Sequence, residues 1–141
     1  MYIDSAYIAK FYLNETDSAP VREAIAAAGS RVTSAWAVAE VTCTFHRKVR
    51  EKMLADWQAR ELIEAFREHV QAELWTLVPV TERLLLNLAA QMKSLPQNAF
   101  VRAGDAMHLV TASDLGETEI WTNDRHLLAA APYFGLTGRS A

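Results

Sequence analysis

The sequence predicts an α/β protein in which helices alternate with the strands of a parallel sheet. Short runs of β-branched and aromatic residues alternate along the chain with segments of helical apolar spacing. Alanine is abundant and only five glycines occur, which favours helix. The 141 residues contain no linker, repeat or low-complexity segment, so we expect one domain, over residues 1–141. Alternation of this kind is typical of a parallel sheet covered by helices.

The first half of the chain contains two predicted strands and four predicted helices. A strand begins at Met1-Tyr2-Ile3, and a mostly apolar helix over 6–13 follows it. A helix opens at Ser18-Ala19-Pro20, which combines a cap with a first-turn proline, and Gly29 ends it. After a strand over 31–34, two long helices span about 34–52 and 55–74; the second has apolar residues at 59, 62, 63, 66, 70 and 74. Because a short loop joins these two helices, we expect an antiparallel helical hairpin.

The second half contains three predicted strands and three predicted helices. A strand over 75–80 precedes Thr81, which caps a helix with an apolar stripe at 84, 85, 88 and 92. A helix begins near Gly104-Asp105 and ends at Gly116, and a strand over 119–122 follows. Asn123-Asp124 opens the last helix, which Pro132 ends, and a final short strand is predicted over 134–137.

Composition excludes several classes of protein. With 51% hydrophobic and 22% charged residues the chain is not mainly disordered, and a net charge of −3 excludes a domain that is strongly basic as a whole. Cys43 is the only cysteine, so intrachain disulfides and thiolate zinc sites are excluded, which suits a reducing cytoplasm. The longest uncharged run is shorter than the roughly 18 residues of a membrane span, and no signal peptide is evident. A cytoplasmic location without membrane contact is therefore expected.

Three aspartates are predicted at the edge of the sheet where ligands bind. Asp4 ends the first strand, Asp105 opens a helix, and Asp124 follows the strand over 119–122. In open α/β sheets, ligands bind beyond the carboxyl ends of the strands. Aspartate is also a favoured helix N-cap, worth about 1 kcal/mol, so capping is the alternative interpretation of each residue taken alone.

A fourth acid, Glu40, lies inside a predicted helix, and none of its neighbours three and four residues away is basic. A carboxylate on such a face needs compensation, and a solvated face or a distant arginine is the alternative to a functional site. Clustered carboxylates repel one another unless a cation lies among them. Oxygen ligands without histidine or cysteine suit Mg²⁺ or Mn²⁺, which support phosphoryl chemistry.

Four short motifs, in order and spacing, resemble the PIN-domain ribonucleases and most closely the VapC toxins of type II toxin–antitoxin modules. The resemblance covers nearly the whole chain. The motifs are Tyr2-Ile3-Asp4-Ser5-Ala6 with Lys10-Phe11-Tyr12-Leu13, Ala39-Glu40-Val41, Asp105-Ala106-Met107-His108-Leu109 with Thr111-Ala112, and Thr122-Asn123-Asp124-Arg125.

The resemblance implies a PIN-like three-layer α/β/α sandwich with a central parallel sheet and a helical hairpin. It also implies an endoribonuclease that uses Mg²⁺ or Mn²⁺, leaves a 5′-phosphate and a 3′-hydroxyl, and acts as a toxin with a cognate antitoxin and as a homodimer. The catalytic and metal-binding residues implied by the resemblance are Asp4, Glu40, Asp105 and Asp124.

Two departures from the family pattern bear on the supporting residues. Family members often have two hydroxyl residues after the first aspartate, whereas here Ser5 is followed by Ala6. Ser5 alone is left to orient Asp4 or a metal-bound water. The fourth acid varies most within the family, so Thr122 and Asn123 are candidates to share its role.

Four basic residues are candidates for binding RNA. Arg47, Lys48 and Arg50 lie on the predicted helix of Glu40, and Arg47 is about two turns, or roughly 10 Å, beyond it. The alternative is a solvated helix end where cations interact favourably with the helix dipole. Arg102 precedes Asp105 by three residues and is a candidate partner of phosphate or of a carboxylate.

Further side chains are interpreted as packed rather than functional. His108 is expected to be a hydrogen-bonded core histidine, with a general-acid role as the alternative. Trp36, Trp75 and Trp121 are expected in the core, whereas Trp57 lies off the apolar stripe of its helix and could contact RNA bases or a partner.

Two other functions compete with the nuclease hypothesis. One is a non-catalytic PIN-like module that binds RNA or protein, and the other is a phosphatase or DNA nuclease on a related fold. The D-x-D signature of haloacid-type phosphatases is absent, since Ser5-Ala6 follows Asp4. Without the four proposed site acids the remaining charge is +1, from 14 basic and 13 of the 17 acidic residues, so the net charge does not argue against an RNA substrate.

Overall fold

Five parallel strands form a central sheet in the computed structural model, which describes residues 1–141. Seven helices and one 3-10 helix connect and cover the strands. In chain order the elements are β1 (Tyr2–Ile3), α1 (Ser5–Tyr12), α2 (Ser18–Ala27), β2 (Val32–Ser34), α3 (Ala37–Arg50), α4 (Asp56–Gln71), β3 (Thr76–Val78), α5 (Glu82–Met92), α6 (Ala103–Asp114), β4 (Glu119–Trp121), α7 (Arg125–Ala130), the 3-10 helix (Ala131–Phe134) and β5 (Thr137–Arg139).

The strand order is β3-β2-β1-β4-β5, with every neighbouring pair parallel. Strands β2 and β3 therefore lie on one side of β1, and β4 and β5 lie on its other side. The order reverses between β1 and β4, where Tyr2 is in register with Ile120. Such a reversal opens a crevice at the carboxyl ends of the two strands, because their connecting helices lie on opposite faces of the sheet.

Two hydrophobic cores, one on each face of the sheet, make the fold a three-layer α/β/α sandwich, as predicted. Consecutive strand residues point to opposite faces, so Ile3 packs with helices α1 to α4 and Tyr2 packs with α5 to α7. Helices α3 and α4 pack against each other as the expected hairpin. Helix α6 is the most enclosed helix, since every residue from Ala106 to Ala112 is buried.

The predicted strand over 134–137 is wrong. Phe134 belongs to the 3-10 helix, Gly135 adopts a left-handed backbone with φ of 73°, and the strand is Thr137–Arg139. Pro132 does not end the helical segment, because it lies in the first turn of the 3-10 helix. The backbone nitrogens of a first turn donate no hydrogen bond within the helix, so a proline fits there.

Two smaller expectations also differ from the structure. The helix at Ser18 has Asp17 at its N-cap, and the Ser18 hydroxyl accepts the N–H of Glu15 instead of capping the helix. Trp36 is 43% exposed, whereas Trp75 is buried and donates its indole N–H to the Tyr12 hydroxyl at 2.7 Å. Trp57 is exposed, as predicted. Among the helices, none has the length and apolar character needed to cross a membrane.

Candidate active site

All four predicted acids line one cleft of about 360 Å³ at the carboxyl end of the sheet, where the strand order reverses. Each acid comes from a different part of the fold: Asp4 follows β1, Glu40 lies in α3, Asp105 lies in α6 and Asp124 follows β4. A larger groove of about 460 Å³ near Met1 and Glu119 contains none of them. The other residues that line the acidic cleft are Ser5, Ala6, Cys43, Thr44, Arg47, Arg102, Gly104 and His108.

Asp4 is both a helix cap and a cleft residue, so the two interpretations of this position are compatible. Its Oδ1 accepts the backbone N–H of Tyr7 at 2.8 Å and caps α1, while its Oδ2 accepts the hydroxyl of Thr122 at 2.7 Å. Burial raises the pKa of Asp4 to about 6, although these hydrogen bonds and nearby His108 oppose the rise. The residue is therefore a carboxyl group whose ionisation the protein alone does not fully stabilise.

Thr122 connects the first and the fourth acid. Its hydroxyl donates to Asp4 and also accepts the backbone N–H of Asp124 at 2.9 Å. Asp124 in turn caps α7, where its Oδ1 accepts the N–H of His126 at 2.7 Å. Asn123 does not line the cleft, because its amide pairs with the hydroxyl of Ser140 at 2.6 Å. Of the two predicted supporting residues near Asp124, only Thr122 contacts a site acid.

Glu40 is compensated by a histidine, a partner that sequence reasoning missed. Its Oε2 lies 2.8 Å from Nε2 of His108, on α6. Burial alone would raise the pKa of Glu40, but hydrogen bonds from His108, Ser5 and Trp36 outweigh burial and hold it below the ordinary value. No arginine pairs with Glu40. The signal available in the sequence was the spacing of three residues between Asp105 and His108, which places both side chains toward one side of α6.

Arg102 forms ion pairs with two of the four carboxylates. Its Nε lies 2.8 Å from Oδ2 of Asp105, and its Nη2 lies 2.5 Å from Oδ2 of Asp124. Burial alone would raise the pKa of Asp124, but the N–H of His126 and the Arg102 guanidinium hold it below its usual value. The sequence left open whether Arg102 pairs with phosphate or with carboxylate, and the structure places it on carboxylate.

The donor set fits a hard divalent cation in chemistry, because the cleft offers carboxylate oxygens from four elements. No group of three or more His, Cys, Asp or Glu side chains is gathered closely enough to hold an ion directly. Oxygens of three of these acids are paired within the protein: Arg102 pairs with Asp105 and Asp124, and His108 pairs with Glu40.

The remaining basic candidates divide into one that reaches the cleft and two that do not. Arg47 lines the cleft and makes only a long 3.8 Å ion pair with Glu51. Lys48 pairs with Glu15 at 2.6 Å and is only 15% exposed. Arg50 is exposed near the end of α3 and does not line the cleft. Arg47 is therefore the basic side chain of the predicted helical run that lies beside the acids.

Comparison with known proteins identifies the family. The model described as PIN domain matches residues 1–132. The crystal structure of VapC20 from Mycobacterium tuberculosis, described as a Sarcin-Ricin loop cleaving toxin, has a TM-score of 0.72 over 92% of this chain and 93% of that chain, at 13% identity. An identity this low shows likeness of fold alone. No curated protein sequence matches this chain significantly. Because the PIN-domain model spans nearly the whole chain and its four motifs meet in one cleft, this protein belongs to the PIN-domain family.

Proposed function

We propose that this protein is a metal-dependent endoribonuclease that acts as the toxin of a toxin–antitoxin module. The observation that carries the proposal is the convergence of Asp4, Glu40, Asp105 and Asp124 from four elements on one cleft. Membership of the PIN-domain family supports a nuclease, and the likeness of fold to a toxin described as cleaving the Sarcin-Ricin loop supports an RNA substrate.

The four acids and Arg47 each have a role in this proposal. Asp4, Glu40 and Asp105 would hold the cation, and Asp124 would hold a second cation or orient the attacking water. When bound, Mg²⁺ or Mn²⁺ lowers the pKa of a coordinated water and stabilises charge on phosphate. Hydrolysis forms a bond from the water oxygen to phosphorus and breaks the bond from phosphorus to the 3′ oxygen, which leaves with a proton. Arg47 lies where it can contact a neighbouring phosphate.

Removal of divalent cations is expected to abolish RNA cleavage. Purified protein is incubated with structured and single-stranded RNA in Mg²⁺ or Mn²⁺, with and without EDTA, and the new termini are mapped. We expect 5′-phosphate and 3′-hydroxyl ends in the presence of metal only. The Asp114→Asn variant, altered on α6 outside the cleft, is the control that retains cleavage. Cleavage that persists in EDTA would overturn the proposal, and faster hydrolysis of DNA or small phosphate esters would favour a different phosphodiesterase or phosphatase.

One observation favours the non-catalytic alternative. Because Arg102 forms ion pairs with both Asp105 and Asp124, it offsets part of their negative charge without a cation, as a binding module would require. The two functions differ in whether Arg102 yields its place to a metal ion. If Arg102 is displaced by a metal ion, its ion pairs with Asp105 and Asp124 must break first. In that case the ion pairs weaken metal binding.

The Arg102→Gln variant is expected to bind Mn²⁺ about two- to tenfold more tightly than wild type. Arg102 is 54% exposed, so solvent screens its two ion pairs and each is worth at most about 1 kcal/mol. Affinity is measured by Mn²⁺ electron paramagnetic resonance without RNA. Arg83→Gln, which removes an ion pair with Asp114 outside the cleft, is the matched control. Unchanged Mn²⁺ affinity together with weaker RNA binding would instead make Arg102 a phosphate contact.

The resemblance to VapC toxins also implies a cognate antitoxin that covers the cleft, and a homodimer. Both stay predictions. The antitoxin is proposed to be encoded beside this protein, and co-purification of the two gene products in a defined ratio is the direct measurement.

A further inference from the structure

A buried hydrogen-bonded chain runs from the core to the cleft through His108. Its Nδ1 lies 3.1 Å from the hydroxyl of Tyr2, and its Nε2 lies 2.8 Å from Oε2 of Glu40. Tyr2 is fully buried and His108 is 1% exposed, whereas the Glu40 side chain is 28% exposed in the cleft. Of the three hydrogen-bonded groups, Glu40 is therefore the one that a ligand in the cleft can reach.

The Glu40 carboxylate fixes the direction of one of these two hydrogen bonds. An ionised carboxylate only accepts hydrogen bonds, so Nε2 of His108 must carry a hydrogen and donate to Glu40. The Tyr2 hydroxyl can donate or accept a hydrogen bond, and it pairs with Nδ1 on the other side of the ring. The ring is thus held in one orientation by groups at both ends.

Gly104 restrains the other oxygen of the same carboxylate. A Cβ placed on Gly104 would lie 2.1 Å from Oε1 of Glu40, so this oxygen occupies space that only glycine leaves free. Helix α6 consequently supplies Gly104 and His108 on either side of the Glu40 carboxylate and Asp105 to the cleft itself. In this arrangement Nε2 of the buried His108 donates to Glu40 and is not available to a substrate oxygen, which argues against the general-acid role.

We propose that His108 is a positioning residue: acting through Glu40, and itself oriented by Tyr2, it holds the Glu40 carboxylate in the orientation that binds the divalent cation. This inference rests on the proposed metal-dependent function. Groups that orient metal-binding carboxylates and histidines change metal affinity by about 10- to 100-fold when removed. A histidine that served only packing would leave metal affinity unchanged once the protein had folded.

The test compares Mn²⁺ affinity in RNA-free protein for His108→Leu and His108→Gln. Leucine removes the donor and is expected to weaken Mn²⁺ binding about 10- to 100-fold. The glutamine amide can place an N–H near the position of Nε2, so His108→Gln is expected to recover most of the affinity. His46→Gln, on the exposed end of α3, is the matched control and should bind like wild type.

A second variant and a spectroscopic measurement keep the test decisive if His108→Leu does not fold. Tyr2→Phe keeps the ring and removes one neutral hydrogen bond, which is expected to weaken Mn²⁺ binding about fivefold. Long-range ¹⁵N–¹H spectra of metal-free wild type should show a hydrogen on Nε2 of His108. An Nε2 without hydrogen, or wild-type Mn²⁺ affinity in folded His108→Leu, would overturn this inference while metal-dependent cleavage stood. Absence of both Mn²⁺ binding and cleavage in wild type would overturn the proposed function as well.

Discussion

Replacement of Asp4 by asparagine is expected to stabilise the metal-free protein at pH 8 and to lower RNA cleavage by about 10³-fold, the equivalent of about 4 kcal/mol in the barrier. The two changes have one cause, the position of this carboxyl group. Asp4 is only 3% exposed, and burial raises its pKa to about 6. At neutral pH the protein therefore keeps a buried negative charge that folding disfavours and that a cation would stabilise.

The sign of the pH dependence follows from the direction of this shift. The pKa of Asp4 rises from 3.8 to about 6 on folding, so the folded state binds this proton more tightly than the unfolded state. Protonated Asp4 contributes stability that is fully present below pH 3.8 and is lost as the pH rises through about 6. Two pKa units correspond to roughly 3 kcal/mol. An asparagine cannot ionise, so the variant does not lose this free energy of unfolding as the pH rises. It should therefore be more stable than wild type by up to this amount at pH 8 and by little at pH 4.

Urea denaturation of Asp4→Asn and wild type at pH 4 and pH 8 measures this difference, with RNA cleavage assayed on the same samples. The asparagine oxygen can accept the N–H of Tyr7, and its amide can donate to the Thr122 oxygen, although the Thr122 hydroxyl then loses Asp4 as its acceptor. Mn²⁺ should reduce the difference in free energy of unfolding between the variant and wild type, because it binds and stabilises wild type. At a Mn²⁺ concentration 100 times the dissociation constant, this stabilisation is about 2.7 kcal/mol. A variant less stable than wild type at pH 8 would mean that the native hydrogen bonds outweigh desolvation, and full cleavage would exclude Asp4 from the site.

Local sequence patterns were enough to predict most of the fold. Apolar spacing identified α4, and the cap at Thr81 identified the start of α5, where its hydroxyl accepts the N–H of Leu84 as expected. The final strand was misplaced because Pro132 was interpreted as the end of the last helix, which put Phe134 and Gly135 in the strand. The proline enters a 3-10 helix, and the glycine turns the chain at the end of that helix. The conformational preferences of proline and glycine alone predict neither the 3-10 helix nor the position of the turn.

The sequence predicted the four acids that meet in one cleft, but not the side chains that pair with them. An aspartate after a strand can be recognised from the sequence, and at Asp4 the same position serves as helix cap and cleft residue. The partner of Glu40 lies 68 positions away, so the pair itself could not be recognised from the sequence. The spacing from Asp105 indicates only that His108 lies toward the same side of its helix as that acid. For Arg102, charge and spacing permitted either phosphate or carboxylate as partner, and only the approach of β4 to α6 brings Asp124 within reach.

The Gly104→Ala variant is expected to fold normally and yet lose at least about 100-fold in RNA cleavage, because misplacement of a reacting group by about 1 Å costs that much. The added Cβ would lie 2.1 Å from Oε1 of Glu40, closer than real Cβ atoms approach, and 3.2 Å from its Cδ, which is a tight contact. The nearest obstacle is the end of a flexible side chain, so the Glu40 carboxylate moves and the backbone stays. Alanine is also favoured over glycine within a helix by about 1 kcal/mol, so the free energy of unfolding should not fall.

A double-mutant cycle separates displacement of Glu40 from any other effect of the added methyl group. In the Glu40→Ala background the methyl group meets no carboxylate, so Gly104→Ala should cause no further loss of cleavage or of Mn²⁺ affinity. Gly29→Ala, where a Cβ meets nothing within 4 Å, is the control for a glycine replacement elsewhere. Equal losses from Gly104→Ala in both backgrounds would mean that the methyl group acts on the approach of RNA to the cleft. In that case the close contact of Gly104 with Glu40 would serve packing and not the orientation of the carboxylate.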